Sequence, residues 1–326
     1  MQFENLNLLN PVILIKVYDR YKHLKQCLES LESCNGVKNY EVIIGSDAAY
    51  KNNHLEKINE VRNYLRNKER NNSFKKLTVI YHKNNVGELE NGRACHQMAE
   101  DLGFQTFIMM EDDVVVGKYF LDFMKNGLVK FNNYPNIVAI NSFLDPALQI
   151  RKNEPFLYNM FSAYGFASWY KKWRPMQRKI ENTNYSKHAI SNFKMFRKLA
   201  KVDSNAKSFP FIAERFYRAS DIEICLIMEY ENLWVIVPPH SLSANRGLDG
   251  SGLRSGINLK LQAMQPYSNR IEYPHTLDLN KIYNYHVKSK VSQNDFLQNW
   301  ISFLVYNYFP FGFKILKYLR SVKKSL

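Results

Sequence analysis

The chain opens on short apolar runs alternating with helical patterns. Val12 to Val17 (VILIKV) is a continuous apolar run of the kind found in buried parallel strands. After Tyr18, Asp19 and Arg20, apolar residues recur at Leu24, Cys27, Leu28, Leu31 and Cys34, one face of a helix that Asn35-Gly36 ends. Tyr40 to Ser46 (YEVIIGS) reads as a second strand running into Asp47, and a charged, Asn-rich helix follows from about His54 to Arg70. Leu77 to Tyr81 is a third strand, and Asn85-Val86-Gly87 opens a helix through Met98. Thr106 to Met110 is a fourth strand, ending on Glu111-Asp112-Asp113. A helix near Tyr119 to Phe131 leads to a fifth, Ile137 to Asn141. Strands and helices alternating at this spacing predict an α/β fold, a mostly parallel sheet with helices on both faces. Ligands of such sheets bind beyond the carboxyl ends of the strands. Asp19, Asp47, Asn85 and Glu111 to Asp113 all follow strand ends, so four polar sites converge on one edge.

After Asn141 the pattern changes. Ser142 to Trp173 is aromatic and reads as loop, Tyr185 to Val202 as a basic helix, and Asp221 to Glu231 as a short amphipathic one. Trp234 to Val237 is a brief strand before Pro238-Pro239, and Gly247 to Gly256 is a glycine-rich loop. No internal repeat or Pro/Gly/Ser-rich linker interrupts the chain, which predicts one continuous unit. At the end, aromatic, nearly uncharged Phe296 to Phe313 is followed by Lys314, Lys317, Arg320, Lys323 and Lys324. Two readings fit this tail: an interfacial helix at an anionic membrane surface, or a terminal helix packed on the body with its basic face in water.

The chain's 326 residues can bury a full core. No apolar stretch is long enough to span a bilayer and no secretory leader opens the sequence, so a cytoplasmic location is expected, peripheral on the inner membrane surface if the tail docks. Four cysteines without a C-x-x-C pair predict reduced, buried thiols. A net charge of +15, from 45 Lys and Arg against 30 Asp and Glu, suits an anionic partner. No helix-turn-helix, zinc-finger or aromatic RNA-binding motif is present, so nucleic acid is not the expected partner.

Three consecutive carboxylates at a strand end repel one another unless a cation offsets them. Magnesium and similar hard cations bridge one or two carboxylates to substrate phosphates, so Glu111-Asp112-Asp113 fits a metal–diphosphate site. A helix N-terminus would account for one acid there but not for three.

With that cluster in place, the segment from Pro11 to Asn141 resembles the nucleotide-sugar-binding half of GT-A glycosyltransferases, and within them bacterial family 2 and N-acetylglucosaminyltransferase I-like enzymes. The resemblance is carried by Pro11-Val12-Ile13, Tyr18-Asp19-Arg20, Asp47, Asn85-Val86-Gly87 with Arg93, and Met110-Glu111-Asp112-Asp113-Val114 with Tyr119-Phe120. Two later segments extend it. Tyr164 to Trp169 with Trp173 is similar to a G-W-A-T-W…W segment, in which a tryptophan lines the sugar pocket or joins the core. Asn245 to Gly252 resembles an N-x-G-x-D-G-S-G loop. Where the family often has a histidine after that loop this chain has Arg254, which can pair with phosphate but cannot ligate metal; His240 is a weak substitute.

The resemblance implies a GT-A fold with a nucleotide-sugar-binding half (1–141), an acceptor-side and catalytic-base half (142–258) and a C-terminal extension (259–326). It implies an inverting transferase that uses Mn2+ or Mg2+ and a nucleotide-diphosphate sugar, with uridine as the expected nucleoside. Asp113 would ligate the metal, and Asp112 would bond the donor's ribose or sugar beside Glu111. Tyr18, Arg20 and Asp47 would hold the nucleoside, with Asn85 in the third loop, and Arg93 or Arg254 would add positive charge. Asp221 would be the general base, with Glu223 in reserve, although Ser220-x-x-Glu223 also reads as a capping box. The acceptor would be a saccharide or lipid-linked sugar of surface polysaccharide synthesis. Two other classes share some of these features: a sugar nucleotidyltransferase, which would need a glycine-rich basic loop where Tyr18-Asp19-Arg20-Tyr21 stands, and a non-enzymatic basic module binding membrane or nucleic acid.

Overall fold

The computed structural model describes residues 10–146, 154–202, 220–251, 257–274 and 296–308. Its centre is an eight-stranded sheet in the order β3-β2-β1-β4-β8-β6-β9-β7. The strands are β1 (Val12–Val17), β2 (Glu41–Ser46), β3 (Lys76–Tyr81), β4 (Thr106–Glu111), β6 (Ile137–Asn141), β7 (Phe156–Tyr158), β8 (Phe166–Trp169) and β9 (Trp234–Val237). β1 to β4 are mutually parallel, β8 runs antiparallel between β4 and β6, β9 is parallel to β6, and β7 is antiparallel at the edge. A second, two-stranded antiparallel sheet joins β5 (Val114–Val116) to β10 (Ser243–Asn245). The fold is thus mixed α/β with a mostly parallel central sheet.

Both faces of the sheet are covered, which is why its strands read as unbroken apolar runs. Successive side chains point to opposite faces. Ile13, Ile15, Ile108 and Met110 pack with α1 (Tyr21–Glu32), α2 (Leu55–Arg70) and α4 (Phe120–Lys130). Val12, Leu14, Phe107 and Met109 pack on the other side with α3 (Gly87–Asp101), α5 (Tyr170–Asn182) and α8 (Ser220–Glu231). Leu24, Cys27, Leu28 and Leu31 are fully buried on α1, as their spacing predicts. All four cysteines are free and buried. No helix among the described residues is long and apolar enough to cross a membrane.

Three sequence-based expectations are corrected. The aromatic stretch from Ser142 to Trp173 is not all loop: it contributes β7, β8 and the start of α5. Its rings build core, with Phe107, Phe161, Phe166, Tyr170 and Trp173 in mutual ring contact. Tyr185 to Val202 is two helices, α6 (Tyr185–Ile190) and α7 (Phe193–Val202). The break falls at Asn192, whose side chain accepts the Met195 N–H at 3.1 Å and so starts a new helix. The fourth strand also runs one residue further, to Glu111. Beyond the sheet, α9 (Leu259–Gln262) leads to Tyr273, which stacks on Phe123 at 4.8 Å. The last described element is α10 (Phe296–Tyr308); Lys314 and the rest of the basic tail lie outside the described residues.

Candidate active site

The sheet order reverses between β1 and β4. From β1 the chain adds β2 and β3 on one side, then returns to place β4 on the other. A crevice opens at such a switch point, beyond the carboxyl ends of the two strands. Register sets Lys16 opposite Glu111, so the next residues of each strand enter the crevice together. From β1 comes Arg20, just before α1; from β4 come Asp112 and Asp113 in the turn to β5.

There Arg20 bridges the two aspartates. Its guanidinium pairs with both oxygens of Asp112 and, through Nη1, with Asp113 Oδ2 at 2.8 Å. Burial works against the Arg20 charge, but Asp112 and Asp113 outweigh it and raise its pKa. Asp113 is held from a third side: Asn245 Nδ2 donates to its Oδ1 at 3.3 Å, and Arg246 N–H to its carbonyl at 2.7 Å. Gly247 lies flush against this pair, since an added β-carbon would run into Asp113 Oδ2 and Arg20 Nη1. The glycine-rich loop therefore meets the acidic cluster as backbone, which only glycine permits.

Lys16, missing from the sequence-based set, neutralises the third acid. It donates to Glu88 at 2.7 Å and lies 3.7 Å from Glu111. Burial opposes its charge, Glu111 and Glu88 raise it, and the net shift is upward. At full ionisation four carboxylates, Glu88 included, thus face two cations. Burial pushes Asp112 up to about 6 against the pull of Arg20, and Glu111 up to about 7 against that of Lys16.

This gives a prediction with a definite sign. A carboxyl whose folded pKa exceeds its unfolded one favours the fold when protonated, so its contribution is present at low pH and lost as pH rises through about 7. Glu111→Gln keeps the shape without the charge. With a side chain about 30% exposed, the gain is expected to be on the order of 1 kcal/mol at pH 8, about a quarter of that at pH 5, and nil only below the ordinary carboxyl value of 4.5. Thermal melts at the two pH values measure it; a loss at pH 8 would mean that the Lys16 pair outweighs burial.

Asp47 at the end of β2 is a buried latch. Its Oδ1 accepts the N–H groups of Ala48 and Val86 at 2.8 and 2.9 Å, and its Oδ2 accepts Gly87 N–H at 2.9 Å and Asn85 Nδ2 at 3.0 Å. Asn85 also donates to the Ala48 carbonyl. Both residues thereby tie the loop opening α3 to the strand edge. Asp47→Ala removes the acceptor of four donors, of which the Ala48 N–H is buried and the others partly so, and an unfolding-free-energy loss of about 2 kcal/mol is expected in denaturant titration. Tyr18 accepts the Tyr50 N–H at 2.9 Å and shares a hydrogen bond with His54 Nδ1 at 2.6 Å, walling the same side of the crevice.

Arg93 stands apart. It is paired with Glu90 at 2.5 Å and Glu181 at 2.8 Å, residues of α3 and α5 outside the acidic cluster. Arg254 lies outside the described residues. Trp169 and Trp173 are buried core, the former donating to the Leu128 carbonyl. His240 stacks on Tyr267 at 4.6 Å.

Tyr164, packed against the core beside β8, feels the charge of both the acidic cluster and α8. Burial pushes its hydroxyl up to about 12, and the charges of Glu111, Asp113, Asp221 and Asp145 add to the shift. Asp221, exposed in the first turn of α8, is thus within electrostatic reach of the same tyrosine as Asp113. Its Oδ1 accepts the Ile222 N–H at 2.9 Å. The Tyr164 loop is fixed by two serines: Ser142 Oγ and Ser243 Oγ both donate to the Tyr164 carbonyl, at 2.9 and 2.6 Å.

Among the described residues, no group of three His, Cys, Asp or Glu side chains is placed to hold a metal ion. The donor set does not fit a cation held by protein alone. It does fit one arriving on a diphosphate, which needs one or two carboxylates and takes its other oxygens from phosphate and water.

No family model matches the chain, and no curated protein matches it significantly. Solved structures similar to it include that of S. aureus TarS 1-349, 11% identical over 68% of this chain and 72% of that one, with a TM-score of 0.39. The same protein in complex with UDP is 12% identical over 70% and 57% of the two chains (TM-score 0.39). In complex with UDP-GlcNAc it is 13% identical over 48% and 44% (TM-score 0.36). The chain thus spans about half the length of the two complexed structures. Likeness at this level decides nothing about the site.

Proposed function

We propose that the chain is a GT-A-type glycosyltransferase that binds a nucleotide-diphosphate sugar in the crevice between β1 and β4. The observation that carries this reading is the clamp of Arg20 on Asp112 and Asp113 at the point where strand order reverses. Its charge balance supports a diphosphate ligand with a divalent cation. Lys16 and Arg20 set against Glu111, Asp112, Asp113 and the Glu88 that also pairs with Lys16 leave the site net negative, so a diphosphate needs an added Mg2+ or Mn2+ to bridge it to the carboxylates.

In this reading Asp113 is the protein's ligand to that cation, and Asp112 and Glu111 face the donor. Arg20 fixes both aspartates, and Asp47 and Asn85 shape the nucleoside side by ordering its loop. Tyr18 lines that side; uridine is the proposed nucleoside. When bound, the metal supplies Lewis-acid neutralisation of the leaving diphosphate. Asp221 takes the proton of the acceptor hydroxyl as it attacks the anomeric carbon, giving inversion by a single displacement. The acceptor is a saccharide or a lipid-linked sugar.

The test is release of nucleotide from a panel of UDP-, GDP- and dTDP-sugars with Mn2+, Mg2+ or chelator. Metal-dependent turnover of one donor is the expected result. Folded protein that neither binds nor turns over any of them would remove the reading.

A further inference from the structure

The helices α7 (Phe193–Val202) and α10 (Phe296–Tyr308) are distant in sequence but pack together outside the two cores of the sheet. Phe193 meets Trp300 at 4.7 Å and Phe303 at 5.3 Å, and Phe196 meets Phe303 at 5.4 Å between ring centroids. Asn307 Nδ2 donates to the Ile190 carbonyl at 3.0 Å, closing the contact at the end of α6.

What this pair leaves outward is unusual for a water-facing surface. α10 has no charged residue in its sequence FLQNWISFLVYNY, and Trp300, Ile301 and Tyr308 are 39%, 51% and 73% exposed. Exposed apolar groups gathered on one element mark an interaction site. In sequence, in part beyond the described residues, the charge of the two segments is basic, with Asp203 and Asp295 just outside them. Tyr185 to Val202 holds Lys187, His188, Lys194, Arg197, Lys198 and Lys201 and no acid. From Phe296 to Leu326 the sequence holds five basic residues and again no acid. Lys187 and Lys194 are exposed.

We infer that the α7–α10 pair is a docking surface for an anionic lipid bilayer. Tryptophan and tyrosine place an apolar body in the acyl boundary and a polar tip at the headgroups, and lysines beside them attract anionic lipid. Over its thirteen described residues α10 is about 20 Å long, and in this inference it lies in the interfacial plane. This inference does not rest on the glycosyltransferase reading. Joined to that reading it has a consequence: α6 packs against both α7 and α8, and α8 carries Asp221. Docking would then hold the candidate base close to the membrane, where a lipid-linked acceptor is presented.

The experiment is co-sedimentation of the full chain with vesicles of phosphatidylcholine alone, or containing about one quarter phosphatidylglycerol. Binding to the anionic vesicles only, weakened by salt, is expected. Ile301→Asp and Lys194→Glu alter exposed side chains and should each lower it about tenfold, with Tm and nucleotide binding unchanged. The inference is overturned by absence of sedimentation, by equal binding to neutral vesicles, or by variants that bind as well as the wild type. An Ile301-dependent dimer in analytical ultracentrifugation, without vesicle binding, would assign the face to a second copy of the chain. Nucleotide titration of the same samples keeps a failure here distinct from a failure of the donor site.

Discussion

Asp113→Asn is expected to lower kcat/KM for sugar transfer on the order of 10³-fold, equivalent to several kcal/mol of transition-state stabilisation. Asparagine keeps an oxygen for the Asn245 amide and the backbone bond from Arg246, so the turn between β4 and β5 retains its shape. What it loses is the charge. Arg20 loses its bond to Asp113 Oδ2, where the amide NH2 now stands, but keeps its two bonds to Asp112, so a modest fall in Tm is expected. A divalent cation, by contrast, loses the one carboxylate proposed to receive it. The combined outcome, activity and metal response lost with only a modest fall in the melt, separates a ligand from a structural partner of Arg20. A large fall in Tm with metal response intact would assign Asp113 to the clamp alone.

Asp221→Asn should lower kcat by about 10²- to 10⁴-fold while leaving nucleotide affinity as it was. The substitution preserves an oxygen for the Ile222 N–H, so the first turn of α8 stays bonded. If Asp221 serves only as that local cap, kcat will hold and stability will change by about 1 kcal/mol or less. A general base predicts the reverse: full stability, little turnover, and disappearance of the acidic limb of the pH–rate profile. Measuring kcat and nucleotide affinity on the same protein makes the distinction, because Asp113→Asn should disturb both and Asp221→Asn only the first.

How much of this was legible in the sequence follows from the length of the patterns involved. β1, β2, β4 and α1 carry runs of six or more residues or a clear helical stripe, and their positions follow from periodicity. β5 and β10 have three residues each, too short for any period, yet they bring Asn245 and Gly247 onto Asp113. β7 and β8 were hidden because they are only three and four residues long and apolar residues face both sides of the sheet. For the site, the acids were visible as a cluster, and Arg20 was named for the donor. Its grip on Asp112 and Asp113 depends on the pairing of β1 with β4, which no local pattern encodes. Lys16 left one signal, the single charge in VILIKV, two residues short of the strand-end sites. Asp47 followed a strand end as expected, and only the fold reveals that three of its four bonds hold the loop from Asn85 to Gly87.

The central claim is that the crevice between β1 and β4 binds a nucleotide diphosphate with a divalent cation. Its most direct test is calorimetric titration with UDP, GDP and dTDP, with and without Mn2+, on the wild type and Asp113→Ala. Metal-dependent binding of one nucleotide, lost in the variant, is the predicted result. Folded wild-type protein that binds none of them, or binding indifferent to both Mn2+ and Asp113, would contradict it.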